Sequence, residues 1–163
     1  MSIYLDIETS FDRRITVIGF YSKQTGLVQR VAPKISRRAI DRVLPRARKL
    51  FTFNGHCFDL PVIRKELDLC LRSQYESHDL RFIGNRMGFY GGLKAVEKQL
   101  GIRRELPDMD GWDAMRLWSQ YQNHDDQEAL KTLLLYNKED VMNLILLRKE
   151  IERMGASARA GGP

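Results

Sequence analysis

The sequence predicts a single α/β domain with a mixed central sheet of about five strands flanked by helices. Two observations carry that expectation: strand-like alternation dominates the first half of the chain, and helical periodicity takes over in the second. A third is length, because 163 residues is a usual size for one domain with its own core. The domain is expected over residues 1–154. The tail GASARAGGP, residues 155–163, has no apolar anchor and is expected to be disordered.

Ile3, Leu5 and Ile7 alternate with Tyr4, Asp6 and Glu8, the period of a strand. Residues 15–21 and 27–31 read as two further strands joined into a hairpin by Gln24-Thr25-Gly26. Ser36 is a good N-cap for a helix running to about Arg46, and residues 49–53 form the next strand. Residues 60–67 read as a helix with Pro61 in its first turn, and residues 74–78 as a last strand. Everything afterwards has helical periodicity, broken at Gly91-Gly92, at Gly101 and between Pro107 and Gly111.

Composition narrows the function classes. Twenty-seven Lys and Arg against 21 Asp and Glu leave a net charge of +6, which favours polyanionic partners. Basic residues crowd Arg37, Arg38, Arg42, Arg46, Arg48 and Lys49, with pairs at Arg13/Arg14, Arg64/Lys65 and Arg103/Arg104; each is either a phosphate contact or part of a solvated face. Cys57 and Cys70 are too few for a disulfide scaffold and lack zinc-site spacing, so both are expected as reduced thiols of a cytoplasmic protein. No signal-like leader and no apolar run near the roughly 20 residues of a membrane span is present, so secretion and membrane insertion are not expected.

Four acidic residues stand where acids are unusual. Asp6 and Glu8, two apart on a strand, leave the same face and converge on one point, either a metal site or simply a wet face. Leu133, Tyr136, Asp140, Leu144, Leu147 and Ile151 follow at steps of three or four and form one apolar stripe that Asp140 interrupts. A buried carboxylate needs a cation or hydrogen bonds to replace its water. Tyr136, one turn earlier, brings a hydroxyl to the same place, while Glu139 points elsewhere and is expected to be solvated. Asp59, in FTFNGHCFDLPVI, falls where a strand gives way to a helix, either as a cap or at the carboxyl edge of the sheet where α/β proteins build sites. The run Asp108-x-Asp110-Gly-Trp112-Asp113 lacks calcium-loop spacing and reads as a turn and N-cap before the helix at Ala114.

Together these segments resemble the DEDD exonuclease superfamily. Asp6-Ile7-Glu8 followed by Thr9 is similar to its first motif, Asn54 with Phe58-Asp59 to its second, and Tyr136 with Asp140 to its third. The position five residues before Asp140 is Leu135 rather than His, which indicates the tyrosine (DEDDy) branch. LDIET, FNGHCFDLP and YNKED also resemble exonuclease motifs of family B DNA polymerases, and HDLRFIGNRMGFYGGLKAVEKQLGI with YNKEDVMNLILL resembles YprB-like domains. The resemblance covers the chain to about residue 150.

It implies a ribonuclease H-like fold and a 3′-to-5′ exonuclease releasing nucleoside 5′-monophosphates from single-stranded ends, DNA favoured over RNA, in a setting such as DNA repair. It also implies two divalent cations, Mg²⁺ or Mn²⁺, held by Asp6, Glu8, Asp59 and Asp140, with Tyr136 orienting the attacking water. Hard cations of this kind take oxygen ligands, so His56 is not expected among them. About 3.5–4 Å apart, two such ions acidify a water and stabilise the departing oxygen. Thr9, Asn54 and Phe58 match positions that line the terminal-nucleotide pocket, and Phe11, Phe89, Tyr90 and Trp112 either stack on bases or belong to the core. The alternatives are a 3′-end RNA exonuclease, a non-catalytic nucleic-acid-binding module and a ribonuclease H-type endonuclease.

Overall fold

Alternation in the first ten residues creates the centre of the sheet. In the computed structural model, which describes residues 1–160, β1 (Ser2–Thr9) turns Ile3, Leu5 and Ile7 into one core and Tyr4, Asp6 and Glu8 toward the other face. β2 (Ile15–Ser22) pairs antiparallel with β1, and β3 (Gly26–Val31) pairs antiparallel with β2. β4 (Lys49–Thr52) lies parallel to β1 on its other side, and β5 (Glu76–Asp79) continues the parallel half. The mixed five-stranded sheet thus runs β3-β2-β1-β4-β5. Gly26, at φ +67°, closes the hairpin as only a residue without a Cβ does easily.

Helices cover both faces. α1 (Arg37–Asp41), α2 (Asp59–Leu67) and α3 (Leu71–Gln74) bury Ile40, Leu60, Ile63 and Leu71 against Ile3, Leu5, Ile18 and Phe20. On the opposite face α4 (Leu80–Arg86), α5 (Leu93–Gln99) and α7 (Gln127–Ala160) pack Leu80, Val96, Val141 and Leu144 on Tyr4 and Phe51. α6 (Gly111–His124) completes that layer through Ala114 and Trp118, which meet Val17, Leu133 and Tyr136. Arg148 pins α7 to the sheet by donating to Ser2 and Tyr4 while lying 4.2 Å from the Phe51 ring centroid.

Several boundaries differ from those expected. Ser36 caps α1, accepting from the Ala39 amide, but the helix ends at Asp41 rather than near Arg46. Pro45 explains this, since it lacks an amide and keeps the residue before it out of helical geometry. The last strand begins at Glu76, two residues late, because Gln74 closes α3. Asp125, at φ 52°, separates α6 from α7, and Asp126 caps α7 by accepting from Glu128 and Ala129 amides. α7 continues to Ala160, into the segment expected to be disordered; Ala is a strong helix former there, and Ser157 Oγ donates to the Arg153 carbonyl. Residues 161–163, the end of the expected tail, lie outside the described residues. Among the described residues no helix is long and apolar enough to cross a membrane.

The stripe on α7 is buried along its whole length, Asp140 included. Leu144 is 1% exposed and its neighbour Leu146 is 45% exposed. Leu144→Ala is expected to cost about 2–5 kcal/mol in urea unfolding. Leu146→Ala is expected to stay within about 0.5 kcal/mol of the parent. Equal effects would contradict the facing assigned to α7.

Candidate metal centre

β1 delivers two carboxylates to one place because Asp6 and Glu8 are two residues apart on the strand face that α7 covers. α7 delivers the third. Carboxylate oxygens of Asp6, Glu8 and Asp140 all lie within 4.8 Å of one another, a spacing that one cation bridges. Asp59 stands beside them as the first residue of α2, where its Oδ1 accepts the Ile7 amide at 3.1 Å. The N-cap residue of α2 is Phe58, and the Asp59 carboxylate reaches across to β1.

Putting these acids together costs hydration. Burial pushes the Asp6 carboxyl up from 3.8 to about 7, opposed by the Asn137 amide and the Arg104 guanidinium. Burial also raises Glu8, assisted by repulsion from Asp6 and Asp59, and raises Asp59, assisted by Asp6. Glu8 Oε1 is buried with no hydrogen-bond partner. Such an oxygen is a ready cation ligand. Tyr136 lies one turn from Asp140, its ring packed in the third core cluster and its phenol held well above the usual range by burial and the nearby carboxylates.

Further side chains surround these acids. Asn137 Nδ2 donates to Asp6 Oδ2 at 3.1 Å and to the Asp6 carbonyl, while its Oδ1 accepts from Gln29 Nε2 at 2.9 Å. Gly19 sits opposite Asp6 on β2, and any Cβ there would overlap Asn137 Oδ1. Arg104, its side chain 4% exposed, bonds Asp140 and lies 3.1 Å from Glu97, both of them buried. Glu139, expected in solvent, accepts the Glu105 and Leu106 amides and so ties the segment carrying Arg104 to α7. The signals available were a Gly inside a strand and a buried-stripe Asn beside Tyr136. For Arg104, the pairing with Arg103 pointed only to a basic surface.

The loop between β4 and α2 carries the remaining expected residues. Asn54 has φ 60°, a conformation Asn tolerates better than most, and its Oδ1 accepts from Arg81. Asp79 holds the loop by accepting the amides of Asn54 and His56. The His56 ring reaches Ser77 at 2.9 Å. Phe58 is partly exposed, and Thr9 is buried at the end of β1 beside a bulge. Phe11 and Trp112 are 55% and 62% exposed with ring centroids 6.2 Å apart, Tyr90 is also exposed, and Phe89 is partly buried against the core. Asp110 caps α6 in a capping box with Asp113, the role its sequence context indicates.

A model of the RNase_H superfamily matches residues 3–152. No curated protein matches the chain. Among solved structures, the family B DNA polymerase from the hyperthermophilic archaeon Pyrobaculum calidifontis is similar over 92% of this chain, with a TM-score of 0.71 and 16% identity. The chain spans 24% of that polymerase chain, and at this identity the likeness is one of fold.

Two expectations follow. Gly19→Ala is expected to destabilise the protein by about 1–3 kcal/mol in urea unfolding, since Asn137 must give way; unchanged stability would show that Asn137 is not locked there. In EDTA, the folded state keeps protons on Asp6, Glu8 and Asp59 that the unfolded chain releases near 3.8 to 4.5. Stability from these groups is therefore full below that range and is lost as pH rises toward about 7, where Asp6 ionises. The urea midpoint should fall between pH 5 and pH 7.5 in EDTA and fall less in saturating Mg²⁺. A midpoint that rises over this window in EDTA would contradict the burial of these acids.

Proposed function

The chain belongs to the RNase_H superfamily, and from that premise we propose that it is a metal-dependent nuclease, a 3′-to-5′ exonuclease acting on single-stranded DNA ends. The observation that carries the reading is the meeting of Asp6, Glu8 and Asp140 oxygens within 4.8 Å. The donor set fits Mg²⁺ or Mn²⁺: it is all hard oxygen, and Glu8 Oε1 is buried with no other partner. Asp6, Glu8 and Asp140 would hold one ion, and Asp59, alongside, is the fourth acid for a second. Divalent ions held there acidify the attacking water and stabilise the departing 3′ oxygen.

The protein's own groups do the positioning. Asn137 fixes the Asp6 carboxylate through a direct hydrogen bond. Tyr136 stands one turn from Asp140 on α7, where its phenol would orient the attacking water by a hydrogen bond. The Asp79-braced loop carries Asn54 and leads through Phe58 to Asp59, whose carboxylate reaches the Ile7 amide of β1, which suits the grip on a terminal nucleotide that the sequence resemblance implies. Exposed Phe11 and Trp112 offer ring faces to unpaired bases. The bond between Arg104 and Asp140 favours a second reading, a non-catalytic nucleic-acid-binding module whose acids are neutralised internally.

The test is incubation with 5′-labelled single-stranded DNA and RNA, linear and circular, in Mg²⁺, Mn²⁺ or EDTA. A metal-dependent ladder shortening from the 3′ end of the linear strands is expected, with circles intact. Asp6→Ala and Asp140→Ala are expected to abolish turnover while remaining folded, and Tyr136→Phe to lose about 100-fold through misplaced water. Full activity in either Asp variant overturns the proposal, and binding of both polymers without shortening selects the second reading.

A further inference from the structure

Arg104 is a buried cation inside an acidic cluster. Its side chain is 4% exposed, it bonds Asp140 Oδ1 through Nη2, and its Nε lies 3.1 Å from Oε2 of Glu97, itself 1% exposed. Arg104 Nε and Nη1 and both Glu97 carboxylate oxygens are buried without a hydrogen-bond partner, so Glu97 holds the guanidinium by charge alone. The guanidinium also lies 5.7 Å from the Tyr136 ring centroid, so it shares the face of α7 on which the acids converge. Its backbone cannot drift far, because the following amides of Glu105 and Leu106 are bonded to Glu139.

We propose that Arg104 is a built-in counter-cation that competes with a divalent ion for Asp140. This inference rests on the metal-centre reading above. A guanidinium and a metal ion both seek the Asp140 carboxylate, and like charges a few ångströms apart repel strongly in a buried setting. Occupation of the Asp140 side by metal therefore requires the Arg104–Asp140 pair to open, while Glu97 keeps the guanidinium close enough to return. The arrangement lets four acids remain packed when metal is scarce, at the cost of weaker metal binding. It makes the Asp140 side of the centre responsive to metal concentration.

Mn²⁺ binding measured by calorimetry and electron paramagnetic resonance tests this. Arg104→Ala is expected to bind Mn²⁺ at least about tenfold more tightly than the parent, the scale of one kcal-level charge contact, and to melt several degrees lower in EDTA with most of the loss restored by Mn²⁺. Millimolar guanidinium ion should compete with Mn²⁺ in Arg104→Ala and leave the parent unaffected, a response that a purely structural arginine does not produce. Arg104→Lys, which keeps the charge, should bind Mn²⁺ close to the parent. Should Arg104→Ala fail to fold, the Arg104 Nε–H resonance of the ¹⁵N-arginine-labelled parent, assigned through Arg104→Lys, still decides: it must shift on Mg²⁺ saturation. Parent binding Mn²⁺ while Arg104→Ala binds no tighter, or an unmoved resonance in metal-bound parent, overturns the competition and leaves the metal centre standing. No Mn²⁺ binding by parent or variant overturns the metal-centre reading and this inference with it.

Discussion

Carboxylates from three distant segments meet between β1 and α7, and their mutual repulsion and lost hydration form the constraint that the surrounding structure answers. Isolated buried charges of this kind are far more costly than any single core contact is stabilising. The protein offsets them with donors placed on every side. Asn137 supplies an amide to Asp6, the Ile7 amide supplies one to Asp59, and Arg104 supplies a full positive charge to Asp140. Asp59 also occupies the first turn of α2, where the helix dipole favours an anion. Glu8 keeps an oxygen unsatisfied, and that residual demand is what a cation would meet.

The same constraint explains features of the sheet and loops that otherwise look unrelated. Gly19 lacks a side chain because the space above Asp6 belongs to Asn137, whose other end is held by Gln29 on β3. The segment bearing Arg104 has no regular structure of its own, yet Glu139 grips its amides and Lys94 approaches the carbonyls of Leu106 and Pro107. Asp79, at the end of β5, does the same for the loop that leads into Asp59. These bonds tie the segment that carries Arg104 and the loop that leads into Asp59 to neighbouring helices and strands.

Much of the fold was legible because local chemistry and global packing agree. Ile3, Leu5 and Ile7 pack as their alternation predicts, all five expected strands form, and the α7 stripe from Leu133 to Ile151 is buried as its spacing requires. Pro45 shortened α1 and Asp125 divided α6 from α7, both through backbone conformations that hydrophobic periodicity does not register. Asp6, Glu8 and Asp140 could be singled out because each breaks a pattern: two acids on one strand face, and one acid in an apolar helix stripe.

Their partners broke no pattern. Arg104 looked like half of a basic pair and Glu139 like a solvated helix residue, and nothing in the sequence singled out Glu97 or Asp79. The chain by itself determined the periodicities, and with them the elements, the buried faces and the side chains that had to be explained. Only the tertiary structure decided which charge answers which, because Arg104 and Asp140 are 36 residues apart and Ile7 and Asp59 are 52 apart. A periodicity is set by neighbours within a turn or a strand, whereas an ion pair is set by distance and burial, which exist only after the loops have closed.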